Sequence, residues 1–255
     1  MTTTLEENNG AHVLHCEALN AGYAGATVCH NLNLSVRPGE VVALIGTNGA
    51  GKSTTMLTIA GELAPISGRL SVLGSSKRTT LPVLARRGLS YVTEERSVIM
   101  GLTTAENLQL AGVPVDDACT IFPELRTLLG RHAGLLSGGE QQMLTLARAL
   151  SRQPKLLLAD ELSLGLAPQI VQRLLGAVRT AADERNVGVL LVEQHVRQAL
   201  RIADRVYVMR RGEVILEGTG DEIGADIDAV QRAYLGPEKP TRHPDSQIKP
   251  GAANR

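Results

Sequence analysis

The stretch 41-VVALIGTNGAGKST-54 decides the fold of this chain. Its first five residues, 41–45, are apolar without a break, as expected of a strand buried on both faces. Gly46-x4-Gly51-Lys52-Ser53 then fills the phosphate-binding loop pattern completely. The residues beyond it read as a helix to about residue 61. Strand, glycine loop and helix in that order aim backbone N–H groups and a helix N-terminus at one phosphate. Gly46, Thr47, Asn48, Gly49, Ala50 and Gly51 are the expected cradle, with Thr54 at its end. Lys52 is placed to reach the β- and γ-phosphates of a nucleotide, and the Ser53 hydroxyl to ligate Mg2+. The plain alternative, a glycine-rich turn with a chance lysine, does not explain the strand before it and the helix after it.

Downstream, 156-LLLADE-161 is an apolar strand that ends in two acids. Buried strands rarely finish on paired carboxylates unless a cation is at hand. Asp160 suits the Mg2+-holding acid of phosphate-loop enzymes, and Glu161 suits a general base that polarises the attacking water. A solvated strand end is the plain alternative. Between loop and acids lies 136-LSGGEQQ-142. Ser137 and Glu140 have capping-box spacing, and Ser137, Gly138 and Gly139 can form an anion site at the helix N-terminus. The two readings are compatible, since a capped start presents those amides.

The ordered set of loop 46–53, segment 136–140, strand 156–161 and loop 163-SLGLAP-168 resembles the ATP-binding subunits of ABC transporters over about residues 12–236. The strings LSGGEQQML, SLGLAP, LLVEQ and ALRIADR resemble the branched-chain amino acid importer group within it. The resemblance implies an α/β fold: a P-loop NTPase core with a mostly parallel sheet, an antiparallel β subdomain and an inserted helical lobe at about 94–136. It implies ATP and Mg2+ as cofactors. It also implies a second ABC ATPase subunit in a homo- or heterodimer, with segment 136–140 capping the γ-phosphate held by that partner. Two transmembrane permease subunits docked near 94–103 and, indirectly, a solute-binding protein complete the implied assembly. The chain would then sit peripherally at the cytoplasmic face of the membrane.

Several positions are carried over residue by residue. Tyr23 matches the aromatic that stacks on adenine; a core tyrosine near a strand end is its plain alternative. Glu94 stands where most members carry glutamine, and can approach Mg2+ or position water. Thr93 and Leu162 replace prolines. Aligned on 203-ADR-205, the switch histidine falls on Gln194, which can donate to a γ-phosphate but cannot titrate. His195 is assigned a surface or packing role, so the burden of activating water rests on Glu161. Two other classes stay open: a soluble ABC ATPase without a transport role, and a cassette that binds ATP as a regulatory subunit with little hydrolysis.

Composition narrows the partners. Lys plus Arg and Asp plus Glu each number 26, so no basic excess points to nucleic acid. With no Trp and one Phe, stacking platforms for bases are also missing. Cys16, Cys29 and Cys119 are scattered, which argues against a disulfide framework. His12, His15 and Cys16 form an HxxHC string that reads as an alternating strand rather than a metal site. The start, MTTTLEENNG, has no apolar core for a signal peptide. No apolar run reaches the roughly 18 residues of a membrane span.

Along the chain, strands are expected near 13–18, 28–36, 155–159, 187–192 and 206–210, with a strand pair at 69–73 and 89–92. Helices are expected from Thr103-x-x-Glu106, over 116–130, and at 138–152, 168–184 and 196–203. That βα alternation means a mostly parallel sheet flanked by helices. Residues 1–11 read as a loose polar start, and the proline-rich 237–255 as a disordered tail.

Overall fold

The computed structural model describes residues 12–23 and 25–225. The expected loose start and tail, and residues 226–236, lie outside the described residues. Strands β1 (Leu14–Tyr23) and β2 (Ala26–Val36) pair antiparallel. Strand β3 (Val41–Gly46) follows and is buried at every position, as its unbroken apolar run predicts. Helix α1 (Lys52–Ile59) ends just before Gly61, whose φ of +80° no L side chain adopts easily. Strand β4 (Pro65–Val72) returns to the free side of β1 and completes a three-stranded antiparallel sheet.

After helix α2 (Leu81–Arg87) comes strand β5 (Leu89–Val92). The expected pairing of the segments around 69–73 and 89–92 does not occur. Strand β4 lies in the first sheet, whereas β5 pairs parallel with β6 (Leu156–Asp160) in a second. Three of the four β5 residues are buried, and a strand so enclosed belongs beside another buried strand.

Helices α3 (Thr104–Leu110) and α4 (Val115–Ile121) form the lobe with the start of α5 (Gly138–Ser151). The helical pattern at 116–130 is not one helix. Pro123 disfavours a helical residue before it, so α4 stops at Ile121 and a 3₁₀ turn takes Pro123–Leu128. Phe122, Leu125, Leu108 and Leu144 are buried together there. Asn107, also buried, accepts from the Ile99 amide at 2.9 Å and donates to the Ile99 carbonyl at 3.1 Å, tying the chain before α3 to the lobe.

The last third alternates helix α6 (Pro168–Arg185), strand β7 (Gly188–Glu193), the short helix α7 (Val196–Ala199), strands β8 (Arg205–Arg210) and β9 (Glu213–Thr219), and helix α8 (Gly220–Ala225). The second sheet runs β5-β6-β7-β3-β8-β9, parallel except for the β8–β9 hairpin. That hairpin turns on Arg211 and Gly212, at φ of 50° and 87°, the two positive angles a tight type I′ turn requires. A side chain at 212 would also strike the Val28 carbonyl, at 1.9 Å from an added Cβ. Arg205 links the two sheets, bonding Glu40 Oε1 at 3.0 Å and the Ser35 carbonyl at 2.7 Å.

Candidate functional site

The parallel order β5-β6-β7-β3 puts four strand C-termini in one row. In open α/β sheets that edge is where ligands settle. Here it delivers Glu94 after β5, Asp160 and Glu161 from β6, Glu193 and Gln194 from β7, and the glycine loop after β3. The edge opens into a cleft of 430 Å³ whose lining includes Asn48, Lys52, Ser53, Glu94, Glu161 and Gln194. Two other depressions, of 180 and 680 Å³, have no carboxylate in their walls.

The glycine loop folds as its spacing predicts. Gly51 has a φ of +106° and backs onto the Met209 methyl, 2.9 Å from where a Cβ would stand. That φ, which L side chains rarely adopt, is what calls for glycine at 51. Lys52 is buried, and its Nζ donates to the carbonyls of Gly46 at 2.8 Å and Thr47 at 3.3 Å. The same Nζ stands 3.7 Å from Glu161 Oε1. The loop's own carbonyls thus hold the cation in place.

Asp160 is buried at the end of β6. Burial, then the neighbouring Glu161 and Glu94 carboxylates, push it up to about 6, while Lys52 pulls the other way. Glu161 has a positive φ of 50°, unusual for a residue with a side chain, and its amide donates to the Val192 carbonyl at 2.9 Å. Gln194 Nε2 lies 2.7 Å from both Glu161 oxygens. Among the described residues no three His, Cys, Asp or Glu side chains form a ready metal cage. Mg2+ does not need one, since it binds through one or two protein oxygens plus phosphates and water.

Not every expected residue meets in this cleft. Ser137, Gly138 and Gly139 sit at the start of α5 and Tyr23 at the end of β1, and none of them lines it. Ser137 is exposed and caps α5, accepting from the Glu140 amide at 3.3 Å, while the Glu140 carboxylate accepts from the Ser137 amide at 2.7 Å. Gly139 is buried against Ile170. Tyr23 is 47% exposed, leaving a ring face open. His195 is exposed, and its carbonyl starts α7 by accepting from the Gln198 amide at 2.9 Å.

Two side chains went unnoticed in the sequence. Arg96 lays its guanidinium on Gly138, 2.9 Å from where a Cβ would stand, and donates weakly to Gln141 at 3.4 Å. No periodicity marks it; only its place just after Glu94 hints at it. Glu193 is 1% exposed and accepts from the Ser163 hydroxyl at 2.6 Å and the Ser163 amide at 3.2 Å. Burial pushes Glu193 up to about 7 against the pull of those two hydrogen bonds, with Glu161 and Asp160 adding to the rise. An acid directly after the apolar run 189–192 was its signal.

The phosphate loop, the paired acids and the intervening capped helix have their counterpart in known proteins. The profile of the ABC transporter family matches residues 29–163. The chain belongs to that family. It is 39% identical over 235 residues to the high-affinity branched-chain amino acid transport ATP-binding protein BraG of Pseudomonas aeruginosa, covering 88% of this chain and all of the relative. It is 35% identical to the probable branched-chain amino acid transport ATP-binding protein LivF of Archaeoglobus fulgidus, over 83% of this chain and 94% of LivF. Among solved structures, an ATP-binding subunit of an ABC transporter superposes with a TM-score of 0.75 at 29% identity, covering 88% of this chain and 100% of its own. The ADP conformation of the ATP-binding cassette MJ1267 gives 0.79 at 26% identity, covering 89% and 99%.

This ABC ATPase therefore binds ATP, and hydrolysis coupled to transport comes with its family. Both relatives are named as branched-chain amino acid transport ATP-binding proteins. Among the described residues no helix is long and apolar enough to cross a membrane.

Proposed function

We propose that the chain is the Mg2+-dependent motor of an importer, working as half of a head-to-tail pair of ATPase subunits. The pair is peripheral, at the cytoplasmic face of the membrane, beneath two permease subunits fed by a solute-binding protein. The importer's cargo is a branched-chain amino acid or a similar small polar solute, on the strength of the likeness to BraG and LivF. The observation that carries the reading is the division of the machinery. Lys52, Ser53, Glu94, Glu161 and Gln194 line one cleft, while Ser137, Gly138 and Gly139 stand outside it. A helix start with anion-binding amides, standing apart from its own chain's glycine-loop cleft, is explained if it serves another subunit's nucleotide.

In this reading the amides of 46–51 and Thr54 wrap the phosphates and Tyr23 stacks on adenine. Ser53, Asp160 and Glu94 hold Mg2+. Asp160 fits that task, since a buried carboxylate crowded by two others lacks the positive charge a divalent ion brings. When bound, Mg2+ neutralises charge on the phosphate oxygens as the γ-phosphoryl leaves. Lys52 holds the phosphates. Glu161 takes the proton of the attacking water as general base. Gln194 donates to Glu161 and, lacking a titrating proton, orients the carboxylate rather than sharing its work. The departures at Leu162 and Gln194 do not support a merely regulatory cassette. Leu162 is 1% exposed and fills the core, and Gln194 grips the general base.

Glu161→Gln is the test. Phosphate release from Mg·ATP is expected to fall at least about 100-fold, the scale of general-base catalysis. The variant should also accumulate as an ATP-bound pair in size-exclusion chromatography. Normal phosphate release would remove Glu161 from its role.

A further inference from the structure

The end of β7 holds loop 161–167 with three consecutive residues. The Val192 carbonyl takes the Glu161 amide at 2.9 Å, Glu193 takes the Ser163 amide and hydroxyl, and Gln194 takes the Glu161 carboxylate. Two of these grips concern the proposed base directly. The middle one uses a carboxylate that is 1% exposed, and burying a carboxylate is costly unless its oxygens are engaged. Both are engaged, on the two polar atoms of Ser163, itself only 4% exposed. The neighbouring Glu161 keeps a left-handed φ of 50° that a free loop would relax. Leu164, on the other side of Ser163, lines the cleft.

We infer that Glu193 is a positioning residue for hydrolysis, acting through Ser163 to hold loop 161–167 so that Glu161 stays set against Lys52 and the glycine loop. The inference rests on the reading of Glu161 as general base. It goes beyond that reading by assigning a task to a buried acid that touches neither nucleotide nor metal. A slack loop leaves Mg·ATP binding intact, because the glycine loop and Lys52 are held by their own contacts. It moves the base away from its water, so the loss falls on kcat and spares KM.

The experiment measures phosphate release from Mg·ATP by the full chain for Ser163→Ala, Glu193→Ala, their combination and Glu193→Gln. Each alanine variant is expected to lose about tenfold or more in kcat with KM within about twofold. The double variant should lose no more than Glu193→Ala, as two ends of one contact do. Glu193→Gln keeps an acceptor for the Ser163 amide and a donor for its hydroxyl, and should recover at least about a third of the wild-type kcat. Should Glu193→Ala not fold, Ser163→Ala decides alone, since it removes one oxygen and no backbone contact. Single variants within about twofold of wild type in kcat, losses that multiply in the double variant, or KM rising in step with lost kcat would overturn the inference. A wild-type pair of ATPase subunits without phosphate release would overturn the reading beneath it as well. Turnover in the wild type with unaffected variants sinks the inference alone.

Discussion

At the C-terminal edge of the parallel sheet, the polar groups hold one another. Lys52 is bound to two loop carbonyls and stands by Glu161, Gln194 holds Glu161, and Glu193 holds Ser163. The start of α5 is finished differently. Its box of Ser137 and Glu140 is complete and Arg96 rests on Gly138, yet Ser137 remains exposed and does not line the carboxylate cleft. One region is a preorganised reaction edge, in which fixed dipoles and charges need little rearrangement when chemistry begins. The other is a capped helix start whose free amides, on the proposed reading, wait for an anion brought by another subunit. On that reading, the difference means that the motor is gated by assembly rather than by folding.

The sharpest way to break that contrast is Ser137→Arg. The added cation would crowd Arg96 and fill the space before the α5 amides. Removing one transition-state donor costs 10²–10³ in rate in other enzymes. Blocking the whole helix start is therefore expected to cut turnover by about 1000-fold, while Mg·ATP affinity measured by equilibrium binding stays within about threefold. Equal loss of both would mean that the two regions belong to one site in one chain.

A smaller effect tests whether the helix start is rigid on its own account. Phe122 is fully buried in the lobe, with the Arg173 guanidinium 5.5 Å from its ring centre. Phe122→Ala should cost about 3 kcal/mol of stability in urea melts, toward the lower end for such truncations because leucines around it can close in. In folded protein, turnover should fall while nucleotide affinity holds. Turnover left untouched would show that α5 keeps its place without the lobe core.

Much of the reaction edge was legible in the sequence. An unbroken apolar run, a glycine loop and an apolar strand ending in acids are local patterns, and local patterns survive folding. The helix at 168–184 and the strand at 206–210 also stand within a residue or so of their expected ends. What was not legible depends on contacts across the chain. The sheet membership of β4 and β5 is decided by neighbours that no local period records. The hairpin that adds β9 turns on Arg211-Gly212, outside the usual Asn-Gly and Asp-Gly signals. Glu193 was missed by one residue, because the strand expected at 187–192 runs to 193 and carries the acid into the interior. Arg96 reaches Gly138 across about forty residues of intervening lobe, a juxtaposition only the fold creates.

The smallest of the three effects turns preorganisation into a measurable cost. In the nucleotide-free chain, with metal removed by EDTA, Asp160 is held at about 6, above its ordinary 3.8. Between those values the folded chain keeps a proton that the unfolded chain gives up, so stability falls as pH rises through the window. Asp160→Asn removes that titration. Below about pH 4 the two proteins should therefore melt alike in urea, and by pH 7.5 the variant should be the more stable by about 2–3 kcal/mol, the size expected of a shift of this order. Mg·ATP should reverse the order, because ligand binding stabilises only the chain that can hold the ion. A stability difference that stays flat with pH would mean that the acid edge stores no electrostatic cost. The contrast with the α5 start would then rest on geometry alone.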